Sequence, residues 1–191
     1  MMNRREAIKQ VTMMLGGVAF TGSSGLLSAV ERAHARAATS RAQVGTFSAQ
    51  DIALLDEVAD TILPETKTPG AKAAHVGPFM ALMVTDTYED PDQTIFRDGI
   101  RKLNEASFMA ATPPQRLALL EKLDREQKAY MDTRARGAPP HYFRLMKELT
   151  LLGYFTSEIG CTQAMRYRET PGRFDPCTPY TPGETAWAGH A

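Results

Sequence analysis

The side chains able to do chemistry in this 191-residue chain are few and scattered. Cys161 and Cys177 enclose a stretch of 15 residues. No Cys-x-x-Cys-His attaches a c-type haem. The four histidines, His34, His75, His141 and His190, stand apart from one another and from the cysteines, so no pair has metal-ligand spacing. No Gly-x-Gly-x-x-Gly follows a strand to cradle a dinucleotide. Asp56, Asp60, Asp86 and Glu89 fall on helix-like faces, where a solvated surface is the default reading, and an acid/base pair hidden among them is the alternative. No catalytic, metal-binding or cofactor-binding residue is assigned, and no cofactor is expected in this chain.

The N-terminus carries a different kind of information. Met1 to Lys9 is a basic head around Arg4 and Arg5, followed by a weakly apolar run from Val11 to Val30 diluted by Gly16, Gly17, Gly22 and Gly25. Ala35, Ala37 and Ala38 then offer small residues at the spacing a signal peptidase reads. Head, greasy middle and Ala-x-Ala exit make a secretory signal over 1–37. Arg4, Arg5, Ile8 and Lys9 resemble the twin-arginine consensus, with Asn3 in the Ser/Thr place and Ala7 where Phe is common. A chance Arg-Arg before an amphipathic helix is the bland alternative. The chain is therefore expected in the periplasm, carried by the twin-arginine translocase.

Composition agrees with a globular domain, with 43% hydrophobic and 23% charged residues. The formal net charge is zero. Losing 1–37 removes five basic and two acidic residues from 22 of each, leaving a charge near −3. No basic footprint for nucleic acid exists. In an oxidising compartment Cys161 and Cys177 are expected to form a disulfide, worth roughly 3 kcal/mol by loop closure. Two free thiols, one of them buried, are the alternative.

Beyond a linker at 38–47, the pattern predicts a helical domain over 48–168 and an extended tail over 169–191. Ser48 caps a first helix with Asp51 in its first turn and Ile52, Leu55, Val58, Ala59 and Ile62 on one face; Pro64 stops it. A second helix runs from Pro78 to about Tyr88 and turns Phe79, Leu82 and Met83 inward. A third carries Ile95, Phe96, Ile100 and Leu103. Thr112-Pro113-Pro114-Gln115 reads as a capping box with proline at the first helical position, and opens a fourth helix with Leu117, Leu120 and Leu123 on one side. The fifth, His141 to about Met165, is apolar over most of its circumference and is expected at the centre. No alternating run suits a sheet. The fold class is all-α, a small bundle of about five helices with a Pro-rich C-terminal tail. Phe174, Tyr180 and Trp187 are aromatic anchors in that tail, laid on the bundle itself or on a partner.

Several stretches resemble the small subunit (subunit 3, or gamma) of gluconate 2-dehydrogenase and related flavin-dependent dehydrogenases. They are Arg4-Arg5, the run Leu55 to Pro64 leading into Pro69-Gly70-Ala71, the block Gly153-Tyr154-Phe155-Thr156-Ser157-Glu158-Ile159-Gly160, and Pro171 to Phe174. The resemblance implies a non-catalytic subunit that escorts an FAD-containing, glucose–methanol–choline-type flavoprotein through folding and export. A multihaem cytochrome c subunit would complete the complex, so FAD and haem c belong to partners and the membrane is met only through them. Tyr154 and Phe155 join Phe174, Tyr180 and Trp187 as candidate partner contacts. A standalone helical binding module and an enzyme with a cryptic carboxylate site are the competing readings.

Overall fold

The computed structural model describes residues 25–37, 44–168, 172, 177, 179 and 181–188. Arg4, Arg5, Lys9, Ala38, Phe174 and Tyr180 lie outside them. Six α-helices occur among the described residues: α1 (Gly25–Ala37), α2 (Ala49–Ile62), α3 (Val76–Thr87), α4 (Asp90–Glu105), α5 (Pro113–Thr133) and α6 (Tyr142–Phe155). A 3-10 turn spans Phe108–Ala110 and a π-turn Gly160–Ala164. None of these helices is long and apolar enough to cross a membrane.

Local chemistry sets the helix ends. Ser48 and Asp51 close a reciprocal box at the start of α2, the Ser48 amide donating to Asp51 Oδ2 at 2.9 Å and the Asp51 amide to Ser48 Oγ at 3.2 Å. The chain leaves the helical region at Leu63, before Pro64. At α5 the Thr112 amide donates to Gln115 Oε1 at 2.9 Å, with Pro113 and Pro114 opening the helix. His141 Nδ1 accepts the Phe143 amide at 3.2 Å and caps α6.

The expected inward stripes are buried in α2, α3 and α4, with Ile62 and Ile95 at the margin. On α5 only Leu120 and Leu123 go inside, while Leu117 is exposed. The centre of the bundle is α3 rather than α6. Every residue from Val76 to Val84 is buried, because α1, α2 and α6 all pack on that helix. α6 shows solvent an edge containing Leu151 and Phe155.

Three further differences have physical causes. The fifth helix ends at Phe155, ten residues short of Met165, where the backbone tightens to an i→i+3 bond, the Ser157 amide donating to Tyr154 O at 3.1 Å, and hydroxyls share the last carbonyls. Thr156 Oγ1 donates to Leu152 O at 2.6 Å and Ser157 Oγ to Tyr154 O at 2.7 Å. Residues 44–47, expected within a linker, form a tight turn with Val44 and Phe47 in the core. Phe47 meets the Phe96 ring edge-on at 6.1 Å, and the Arg97 guanidinium covers it at 4.7 Å. The helix beyond the expected five, α1, comes from the second half of the segment read as a leader.

Candidate functional site

Two features gather the residues singled out by sequence: a charged bracket between α2 and α3, and the aromatic residues of α6 and of the tail.

The bracket begins with the run Leu55 to Pro64. On α2, Asp56 and Glu57 are neighbours and Asp60 lies one turn further. Asp56 Oδ1 accepts the Gly77 amide at 3.0 Å, a carboxylate set on the positive end of α3. A Cβ at Gly77 would stand 2.5 Å from that oxygen, so only glycine permits the approach. Burial raises the Asp56 pKa, opposed by the Gly77 hydrogen bond and the charges of Lys72 and His75. Asp60 Oδ1 receives the Lys72 amide at 3.4 Å. His75, in the left-handed region at φ 54°, turns the loop into α3.

Glu57 is the hub. One oxygen takes the Lys72 ammonium, and the other takes Arg116 Nη1 at 2.5 Å. Arg116 also donates from Nε to Phe108 O and Ala111 O, both at 3.1 Å, and from Nη2 to Met109 O at 2.8 Å. One guanidinium thus ties the start of α5 and the 3-10 turn to α2. These carboxylates face amides, a lysine and an arginine, and their chemistry is to hold the loop between α2 and α3.

The hydrogen bond from Lys72, with the charges of Lys72 and Arg116, holds the Glu57 carboxyl below its ordinary range. Lys147 does the same for Asp124, by a 2.6 Å bond between α6 and α5. A carboxylate whose folded pKa is depressed adds stability above its unfolded pKa, about 4, and loses it as pH falls through the folded value. Stability is therefore expected to fall on acidification below about pH 4, less steeply in Glu57→Gln, as read by urea denaturation at several pH values. Arg116→Met removes the donor to three backbone carbonyls, of which Phe108 O keeps the Ala111 amide, and to one oxygen of the half-buried Glu57. It is expected to cost about 1–3 kcal/mol at neutral pH, as read by urea denaturation.

The aromatic residues of α6 and of the tail divide the predicted contacts. Tyr154 is buried and its hydroxyl donates to Pro69 O at 2.7 Å, strutting the loop of the Pro69-Gly70-Ala71 motif. It is thus closed to a partner. Phe155, 39% exposed, meets the Tyr154 ring edge-on. Leu151, one turn earlier on the same face, is also exposed. Trp187 is 51% exposed, with the Arg166 guanidinium 4.5 Å over its ring. The Arg166 amide donates to Ala186 O at 2.8 Å and the Ala188 amide to Arg166 O at 2.7 Å, so this part of the tail pairs with the chain's own Arg166, just beyond the π-turn.

Cys161 and Cys177 are separate thiols here, not the expected bridge. Cys161 is buried with Sγ turned to Phe155 O at 3.3 Å, and burial raises its pKa; Cys177 is exposed. Of the expected cleavage residues, Ala35 is exposed and Ala37 buried at the end of α1. His34 stacks on Phe79 at 4.5 Å, and its Nε2 lies 2.9 Å from Thr156 Oγ1. No cluster of His, Cys, Asp and Glu that could hold a metal ion occurs among the described residues. Sequence reasoning missed the Glu57–Arg116 latch, since its partners lie 59 positions apart and no periodicity links them.

Searches of curated proteins and of solved structures return no match. Residues 49–172, from α2 through α6 and the π-turn, match the family described as gluconate 2-dehydrogenase subunit 3. Both the bracket and the Gly153–Gly160 block fall inside that span, and the chain belongs to the gluconate 2-dehydrogenase subunit 3 family.

Proposed function

We propose that this chain is the non-catalytic small subunit of an FAD-dependent sugar or sugar-acid dehydrogenase of the glucose–methanol–choline type, and that it escorts the flavoprotein through folding and twin-arginine export. Family membership over 49–172 is the observation that carries this reading, because subunit 3 belongs to a multi-subunit dehydrogenase. Two features support it. Arg4, Arg5 and Lys9 head a leader-like segment, as an escort for a partner without its own signal requires. Leu151, Phe155 and Trp187 leave apolar surface exposed on α6 and the tail, a fitting contact for the flavoprotein. Oxidation takes place in the partner, with electrons leaving through a multihaem cytochrome c at the outer face of the inner membrane.

Co-expression with the signal-less flavoprotein tests the proposal. With the wild-type small subunit, dehydrogenase activity is expected in the periplasmic fraction. With Arg4→Lys and Arg5→Lys together it is expected to stay in the cytoplasm. Undiminished periplasmic activity with the double variant overturns the escort role.

A further inference from the structure

The expected cleavage point and the fold compete for the same residues. A signal peptidase reads small residues three and one positions before the cut, in an accessible, extended segment; exposed chain is where proteolysis concentrates. Ala35 and Ala37 are instead the closing residues of α1, and α1 is docked. Ala33 and Ala37, one helical turn apart, are 6% and 1% exposed. Their small side chains let α1 lie close on α3. Between them His34 reaches across to α6 and stacks on Phe79, and Arg36 Nη1 pairs with Asp86 Oδ2 on α3 at 3.1 Å. Removing residues 1–37 would strip α1 away and open the side of α3 that carries Phe79.

A second candidate exit lies upstream, where α1 begins. Met1 to Gln10 holds the basic head, Val11 to Phe20 is an apolar run, and Thr21-Gly22-Ser23-Ser24 follows. That is a leader of 24 residues with an apolar run of ten, inside the usual 15–30 and 7–15 residues for these parts. Gly22 and Ser24 supply the two small residues, and Gly25 starts α1.

We propose that the leader is removed at the Ser24–Gly25 bond and that α1 stays as the first helix of the exported domain. The inference rests on the export reading above. A host signal peptidase adds water across that peptide bond, leaving a carboxylate on Ser24 and a free amine on Gly25.

Intact mass and N-terminal sequencing of the exported chain test the cut. A first residue at Gly25 is expected. Ala35 is exposed, so Ala35→Gln leaves the fold alone while spoiling the downstream site, and it is expected to be processed like the wild type. Ser24→Leu is expected to accumulate precursor. A first residue at Ala38, a block by Ala35→Gln, or an exported chain still beginning at Met1 overturns the proposal. A wild-type chain left whole in the cytoplasm brings down the export reading and the cut together, whereas a first residue at Ala38 brings down the cut alone. Hydrogen exchange on the purified full-length Arg4→Lys, Arg5→Lys chain reads the docking independently of export. Protection of the amides at 31–37 comparable with α3 is expected; exchange at unfolded-chain rates overturns the retained helix.

Discussion

Phe79→Ala is expected to destabilise the domain by about 3–5 kcal/mol, lowering Tm by roughly 6–20 °C for a chain of this size. Phe79 is fully buried and joins three helices. It rises from α3, carries the His34 ring of α1 on one face, and lies against the backbone of α6 at Gly153. That last contact makes a sharper test. A Cβ at Gly153 would fall 2.6 Å from Phe79 Cδ1, so Gly153→Ala alone forces the ring or α6 to move, at a cost of about 1–3 kcal/mol. In the Phe79→Ala background the same methyl enters the vacated space. There it keeps the helix-propensity gain of alanine over glycine, up to about 1 kcal/mol. The double variant is therefore expected to be no less stable than Phe79→Ala. The coupling between the two sites should favour the double variant by at least about 1 kcal/mol. Additive losses in urea denaturation would show that the α3–α6 approach is not set by this pair.

Gly160→Val is expected to cost about 3 kcal/mol and to loosen the tail before the bundle melts. A Cβ here would stand 1.9 Å from Tyr154 O and 2.8 Å from Tyr154 C, both backbone atoms with no rotamer to yield. The fold-back at Gly160 is held by the Cys161 amide on Ser157 O at 2.9 Å and the Met165 amide on Gly160 O at 3.0 Å. Arg166 follows directly, and on Arg166 sits the chain's single tryptophan. Tryptophan fluorescence therefore reports the turn while circular dichroism reports the helices. Both Gly160→Ala and Gly160→Val carry the same Cβ, so both are expected to lower the fluorescence midpoint by several degrees, roughly 6–12 °C for valine. A midpoint within about 2 °C of wild type for Gly160→Ala would remove the steric account of this turn.

Both predictions concern the Gly153–Gly160 block, which the sequence marks as the most specific part of the family resemblance. Its role was not legible there. Tyr154 and Phe155 read as equivalent aromatics, yet one is a strut on Pro69 and the other an exposed ring. Adjacent residues on a helix point about 100° apart, and which of them faces the core depends on the neighbours. Gly153 and Gly160 are each a point where another part of the chain comes too close for a side chain.

The sequence by itself determined the all-α class, the starts of α2, α5 and α6, the stop at Pro64 and the family. These follow from signals within one or two helical turns: capping hydroxyls and carboxylates, prolines, and apolar residues at helical spacing. Only the tertiary structure decided that α3 takes the centre, that Arg116 reaches back to Glu57, and that Ala33, His34 and Ala37 serve the core. Each of these outcomes is a packing contact between segments tens of residues apart, where side-chain size, reach and burial settle the arrangement and local pattern is silent.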